Sequence, residues 1–122
     1  MSGFEVFCDS VDEELRAAGL RSADLDTGEG GYAIQLGETS DTGESCALVV
    51  WSASAGLTER AYELLRSGQR SAEAVLHTGR IKHLMADAVL GILVSAGMAA
   101  RLSSDDLAPA TVEVLPPKTN KV

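Results

Sequence analysis

The fold turns on the stretch VLHTGRIKHLMADAVLGILVSAG, residues 75–97. From Gly79 onward, Ile81, Leu84, Met85, Ala88, Val89, Ile92 and Ala96 recur at the three- and four-residue steps of an amphipathic helix, and Arg80, His83 and Asp87 fall away from that stripe. Past Asp87 the other side is apolar too, at Leu90 and Val94. A helix that is apolar all round must be covered on more than one side. The stretch is therefore expected to be the centre of the fold or half of a dimer interface, with Leu90 and Val94 as the dimer contacts. Thr78 is an acceptable N-cap, so this helix is expected to start at residues 78–79, and Ser71 can cap a separate helical stretch ahead of it.

Working outward, Leu57, Ala61, Leu64 and Leu65 form one stripe that closes at Gly68, with Ser54 as a cap, and predict a helix over residues 57–68. Before it, CALVVW (residues 46–51) has no polar interruption, the mark of a strand covered on both faces or lying inside a sheet. YAIQL (residues 32–36) alternates, and Asp41-Thr42-Gly43 supplies turn chemistry between the two, so they pair as a hairpin. Near the N-terminus, Ser2/Glu5 and Ser10/Glu13 have capping-box spacing. Phe4, Phe7, Val11, Leu15 and Ala18 share one face, and Gly19 is a stop, giving a helix over residues 3–18. Downstream, TVEVL (residues 111–115) alternates and ends at Pro116-Pro117, and residues 118–122 are expected to be a disordered tail. The order is helix, strand, strand, helix, helix, strand. Its fold class is α+β: a small, mostly antiparallel three-stranded sheet packed with helices, in a single domain over residues 1–117.

Composition supports one globular domain. Of 122 residues, 45% are apolar and 23% charged, which is far from the signature of disorder, and only 4% are aromatic, so the core is built from Ala, Val, Leu and Ile. Runs without charge reach only 14 residues, Ser45 to Thr58, and 13, Ala88 to Ala100, against the ~20 a bilayer needs, which excludes a membrane span. Cys8 and Cys46 have no metal-binding or redox neighbourhood, and MSGFEVFCDSVDEEL turns acidic where a secretory signal needs a positive start. Both are expected to be buried thiols in a reducing cytoplasm. The net charge of −8 is uneven: −9 over residues 1–46, +2 over 47–83 and −1 over the rest. That balance argues against general nucleic-acid binding, which depends on phosphate contacts, and permits head-to-tail electrostatic association.

Candidate chemistry concentrates at the start of the quoted stretch. His77 and His83 are six apart, about 120° round a helix, which does not suit a shared metal, and no metal site or other cofactor is expected. His77, Thr78, Gly79, Arg80 and Lys82 would make an anion site if a helix starts there, because free N–H groups in a first turn favour negative charge. Surface bases beside a cap are equally consistent with the pattern. No nucleophile-elbow motif occurs, Cys46 sits inside an apolar strand, and no catalytic residue is assigned. Asp9, Asp12 and Glu13 mark an acidic helix face that is either solubilising or a partner surface.

The segments LRAAGL, GGYAIQLG, ALVVWSAS, VLHTGRIKHLMADAVLGILVSAGM and LAPATVEVL, in that order over residues 13–116, resemble a group of small single-domain proteins of high-GC actinobacteria. In that group a helix ending in A-G-L, two strands with a Trp near the end, an H-x-G segment and a final A-P plus strand recur. His77 and Gly79 match the H-x-G. The resemblance implies an intracellular single domain and transfers no activity.

The leading expectation is a non-catalytic cytoplasmic accessory module that works by protein binding, as a homodimer or with another protein. It would use the acidic helix or the basic edge at Arg80, Lys82 and His83. Two alternatives stand beside it: an enzyme that binds a small molecule or anion between the sheet and residues 78–82, and an acidic inhibitor that mimics nucleic acid, which requires the acids of residues 9–44 to share one surface.

Overall fold

The chain runs α1 (Gly3–Ala17), β1 (Gly31–Glu38), β2 (Ser45–Ser52), α2 (Ala55–Arg66), α3 (Glu73–Ser95), β3 (Ala99–Leu102) and β4 (Thr111–Leu115). The computed structural model describes residues 3–24, 26–52, 54–68, 73–104 and 110–117, and only the backbone at 55, 57, 58, 61, 64, 65, 74 and 75. The expected tail at residues 118–122 lies outside the described residues. The α+β class holds, but the sheet has four strands, all antiparallel, in the order β1-β2-β4-β3. The additional strand is β3, four residues that pair with β4 from Ala99↔Leu115 to Leu102↔Val112.

Strand alternation sorts the sheet into two faces. Tyr32 and Ile34 lie opposite Trp51 and Val49, Val49 and Ala47 lie opposite Val112 and Val114, and Ala100 lies opposite Val114. These residues share the helical face. With Phe7, Val11 and Leu15 of α1 and Ala86, Val89 and Leu93 of α3, they form one core. Each Val, Leu or Phe among them taken from water contributes roughly 1.5–3 kcal/mol. α1 and α3 pack against each other, α3 crosses β2, β3 and β4, and α2 packs on α3. At the end of α1, Gly19 takes the left-handed conformation (φ 94) and lets Leu20 N–H donate to the Leu15 carbonyl, so the expected stop is a glycine-dependent one.

The helix of the quoted stretch differs from expectation in two ways. It begins at Glu73 and runs unbroken to Ser95, so Gly79 is an interior residue with open space where a side chain would be, and residues 78–82 are not a helix start. Its buried arc is Ala86, Val89 and Leu93, with Leu90 and Ile92 half-buried beside it, whereas Leu84 is 63% and Val94 53% exposed. One sheet face and two flanking helices cover only part of the circumference. The ridge expected to be hidden therefore faces outward.

Tyr32 anchors α1 to the sheet. Its hydroxyl donates to Asp12 Oδ1 at 2.5 Å, and Asp12 also accepts from Arg16 Nε at 2.8 Å. Burial, reinforced by the Asp12 carboxylate, pushes the Tyr32 phenol up to about 12. The chain before β1 runs alongside it: Tyr32 N–H donates to the Arg21 carbonyl and Ala23 N–H to the Tyr32 carbonyl. Gly31 makes this approach possible, because a Cβ there would lie 2.6 Å from the Ser22 carbonyl carbon and 2.7 Å from Ala23 N.

Candidate interaction surface on the outer face of the sheet

The residues singled out by sequence do not converge. His77, Gly79, Arg80, Lys82 and His83 are exposed and Thr78 is half-buried, all within the body of α3. Five or more residues into the helix, backbone N–H groups bond to carbonyls four residues back, so the free donors an anion would use are absent at 78–82. Arg80 and Lys82 are two residues apart, about 160° round the helix, and leave on opposite sides. His77 and His83 diverge by about 120°, and among the described residues no group of three or more metal-ligating side chains occurs. An open cleft of about 470 Å³ does lie between the sheet end and this helix, lined by Trp51, Arg21 and Ile81 and by neither Arg80 nor Lys82.

On α1, Asp9 and Glu13 are exposed, while Asp12 is engaged by Tyr32 and Arg16. The other acids of residues 9–44 are dispersed. Asp24 accepts from the amides of Asp26 and Thr27 in a turn, Glu29 pairs with Arg21, and Asp41 pairs with Arg101 on the other side of the sheet from α1. They do not form one surface. Leu90 is half-buried against the core, which leaves Val94 as the exposed member of the expected dimer pair.

The outer face of the sheet is where the residues assemble into something specific. Ala33, Gln35 and Gly37 of β1, Cys46, Leu48 and Val50 of β2, Thr111, Glu113 and Leu115 of β4, and Ala99 and Arg101 of β3 point to it by alternation. An antiparallel sheet with helices on one side ordinarily turns polar side chains to water on the other. Here the outward side chains of the inner strand β2 are Cys46, Leu48 and Val50, with Ser52 at the strand's end. Leu48 also reaches across Gly37, where a Cβ would collide with its Cδ1.

Part of this face is closed by the β1–β2 loop, residues 39–44. The buried Glu113 carboxylate, 1% exposed, accepts from Ser40 N–H at 2.9 Å and from Arg101 Nε at 3.1 Å. Arg101 Nη2 donates in turn to Asp41 Oδ1 at 2.5 Å. The Ser40 hydroxyl meets that of Ser104 at 2.8 Å and accepts from Ser104 N–H at 3.1 Å. Within the loop, Thr39 Oγ1 accepts from Glu44 N–H and bonds Thr42 Oγ1. Burial works against the charge on Glu113, but the Ser40, Arg101 and Ser103 hydrogen bonds outweigh it and hold the carboxyl below its usual range. Cys46, fully buried, lies diagonally across from Glu113; burial first, and then the Glu113 charge, pushes its thiol up. Cys46 and the half-buried Cys8 are both free thiols.

Sequence reasoning missed Glu113, Arg101 and Asp41. A charged residue inside an otherwise apolar β-run, TVEVL, was the available signal for Glu113, and the unbroken apolar run CALVVW was the signal for the face. No family model, curated protein or solved structure matches the chain. Among the described residues, no helix is long and apolar enough to cross a membrane.

Proposed function

We propose that the protein is a non-catalytic interaction module of the cytoplasm that pairs with a second copy of itself through the outer face of the sheet. One observation carries the reading: β2, an inner strand, turns Leu48 and Val50 outward on a side where, among the described residues, no helix packs. Charge selects the place. A copy with net charge −8 repels another, so two copies meet most easily where neither presents unpaired acids. The outer face centres on Ala33, Leu48, Val50 and Thr111, and its charged residues Glu113, Arg101 and Asp41 are paired with one another. The outward ridge of α3, with Leu84 and Val94, is the weaker choice because α1 beside it carries exposed Asp9 and Glu13. This moves the dimer contact from Leu90 and Val94 to Leu48 and Val50. Two free thiols suit the reducing compartment.

Four strands spaced ~4.8 Å apart and about 20 Å long give a face of roughly 400 Å² per copy, about half of what each partner buries in a stable complex, so the pairing is weak, reversible and concentration-dependent. Light scattering from micromolar to near-millimolar protein tests it. The wild type should rise from monomer to dimer mass, and Val50→Lys should stay monomeric with an unchanged circular dichroism spectrum. A wild type that stays monomeric, or a Val50→Lys variant that dimerises as well as the wild type, contradicts the reading. So does a dimer abolished by Leu84→Glu and untouched by Val50→Lys.

A further inference from the structure

We propose that the loop of residues 39–44 is a strap, clasped across the outer face by the charge on Glu113, and that releasing it uncovers Cys46 and enlarges the surface open to a partner. The strap itself stands on geometry; its effect on pairing rests on the docking reading above.

The loop could have extended past the end of the hairpin, as polar loops usually do. Instead it turns back over β4. Ser40 spends its amide on Glu113 and its hydroxyl on Ser104, partners 73 and 64 residues away in sequence. Asp41 is tied to Arg101, 60 residues away. Among the described residues, the one carboxylate buried in this face is thus the hub of the closure, since Glu113 accepts at one oxygen from the strap and at the other from the arginine that also holds the strap. The groups around the hub are Arg101 of β3, Asp41 and Ser40 of the strap, Ser103 and Ser104 after β3, Cys46 of β2 and Glu38 at the end of β1. Arg101 is the cation among them, and it is shared between Glu113 and Asp41. Charge-assisted hydrogen bonds of this kind are stronger than neutral ones, and removing the charge from a single buried residue weakens the closure without touching the apolar core on the other face.

Thiol labelling resolved by peptide mass reads the strap directly, with Cys46 on the outer face and Cys8 on α1 reported in the same sample at one neutral pH. In Glu113→Gln, Cys46 should label about tenfold faster or more, the change expected when a charge-assisted hydrogen bond closing a local opening is lost, while Cys8 is unchanged. Asp41→Asn, at the exposed end of the chain of contacts, should move Cys46 in the same direction by less. If Cys46 and Cys8 accelerate together in both variants, the residues hold the whole fold and the strap is refuted. An unchanged Cys46 rate in both refutes it equally. Light scattering of Glu113→Gln then separates the two readings. Faster Cys46 labelling with tighter pairing supports both, and faster labelling with unchanged pairing keeps the strap and removes the docking reading.

Discussion

The two faces of the sheet are made from the same strands and solve opposite problems. On the helical face Val49, Val112 and Val114 lie in one core with Val89 and Leu93, and Tyr32 makes a peripheral polar contact to Asp12. On the outer face, one residue along from Val112, Glu113 is held by Arg101 and by a strap made of the chain's own loop, with Val50 and Thr111 on the same face. The first is a core that any correctly patterned sequence builds. The second combines apolar side chains, a buried charge and a polar loop, the combination on which the proposed docking rests.

The largest effect expected from this contrast is on stability. Leu93→Ala, at a position with no exposure, should cost about 2–5 kcal/mol in denaturant unfolding. Val50→Ala, measured in dilute monomer, should cost less than half of that, because its side chain is only partly withdrawn from water. Equal losses would mean that the outer face is as closed as the core and the contrast is false.

Extremes of pH should separate the faces more gently. Glu113 has a lowered pKa in the folded protein, so its contribution is present above the ordinary carboxylate range and is lost as pH falls through the lowered value. Tyr32 has a raised pKa, so its contribution is full below the ordinary phenol value of 10.0 and is lost as pH rises through about 12. Acid should therefore loosen the outer face first and alkali the helical face. In Tyr62→Phe, where Tyr32 is the remaining tyrosine, phenolate absorbance should rise with a midpoint near 12. A midpoint near 10 would show that Tyr32 is neither buried nor held by Asp12.

Much of the architecture was legible because hydrophobic period maps onto elements independently of their neighbours. Phe7, Val11 and Leu15 marked α1, and the hairpin strands and β4 were found within one to two residues of their ends. β3 was not, because four residues with two alanines carry little β-preference by themselves and exist as a strand through pairing with β4. Gly79 suggested a helix start, yet a helix tolerates an interior glycine at a cost near 1 kcal/mol when packing on either side holds it. The site was less legible than the fold. Arg101 and Glu113 are 12 residues apart and Asp41 is 60 from Arg101, so their union is a product of strand order, which the sequence pattern does not specify. The unbroken run CALVVW marks a strand covered on both faces or lying inside a sheet, and β2 does lie inside the sheet, between β1 and β4.

Leu48 and Val50, on the outward side of β2, are only partly covered by the chain, and the proposed second copy covers what is left. Methyl resonances of Val49 and Val50, recorded with a soluble paramagnetic agent over a range of protein concentrations, test it at adjacent residues. Val49 should be protected throughout, whereas Val50 should be bleached in dilute protein and become protected as concentration rises. Bleaching of Val50 at every concentration would show that nothing covers the face, and protection at every concentration would show that the chain covers it itself. Either result would contradict the account.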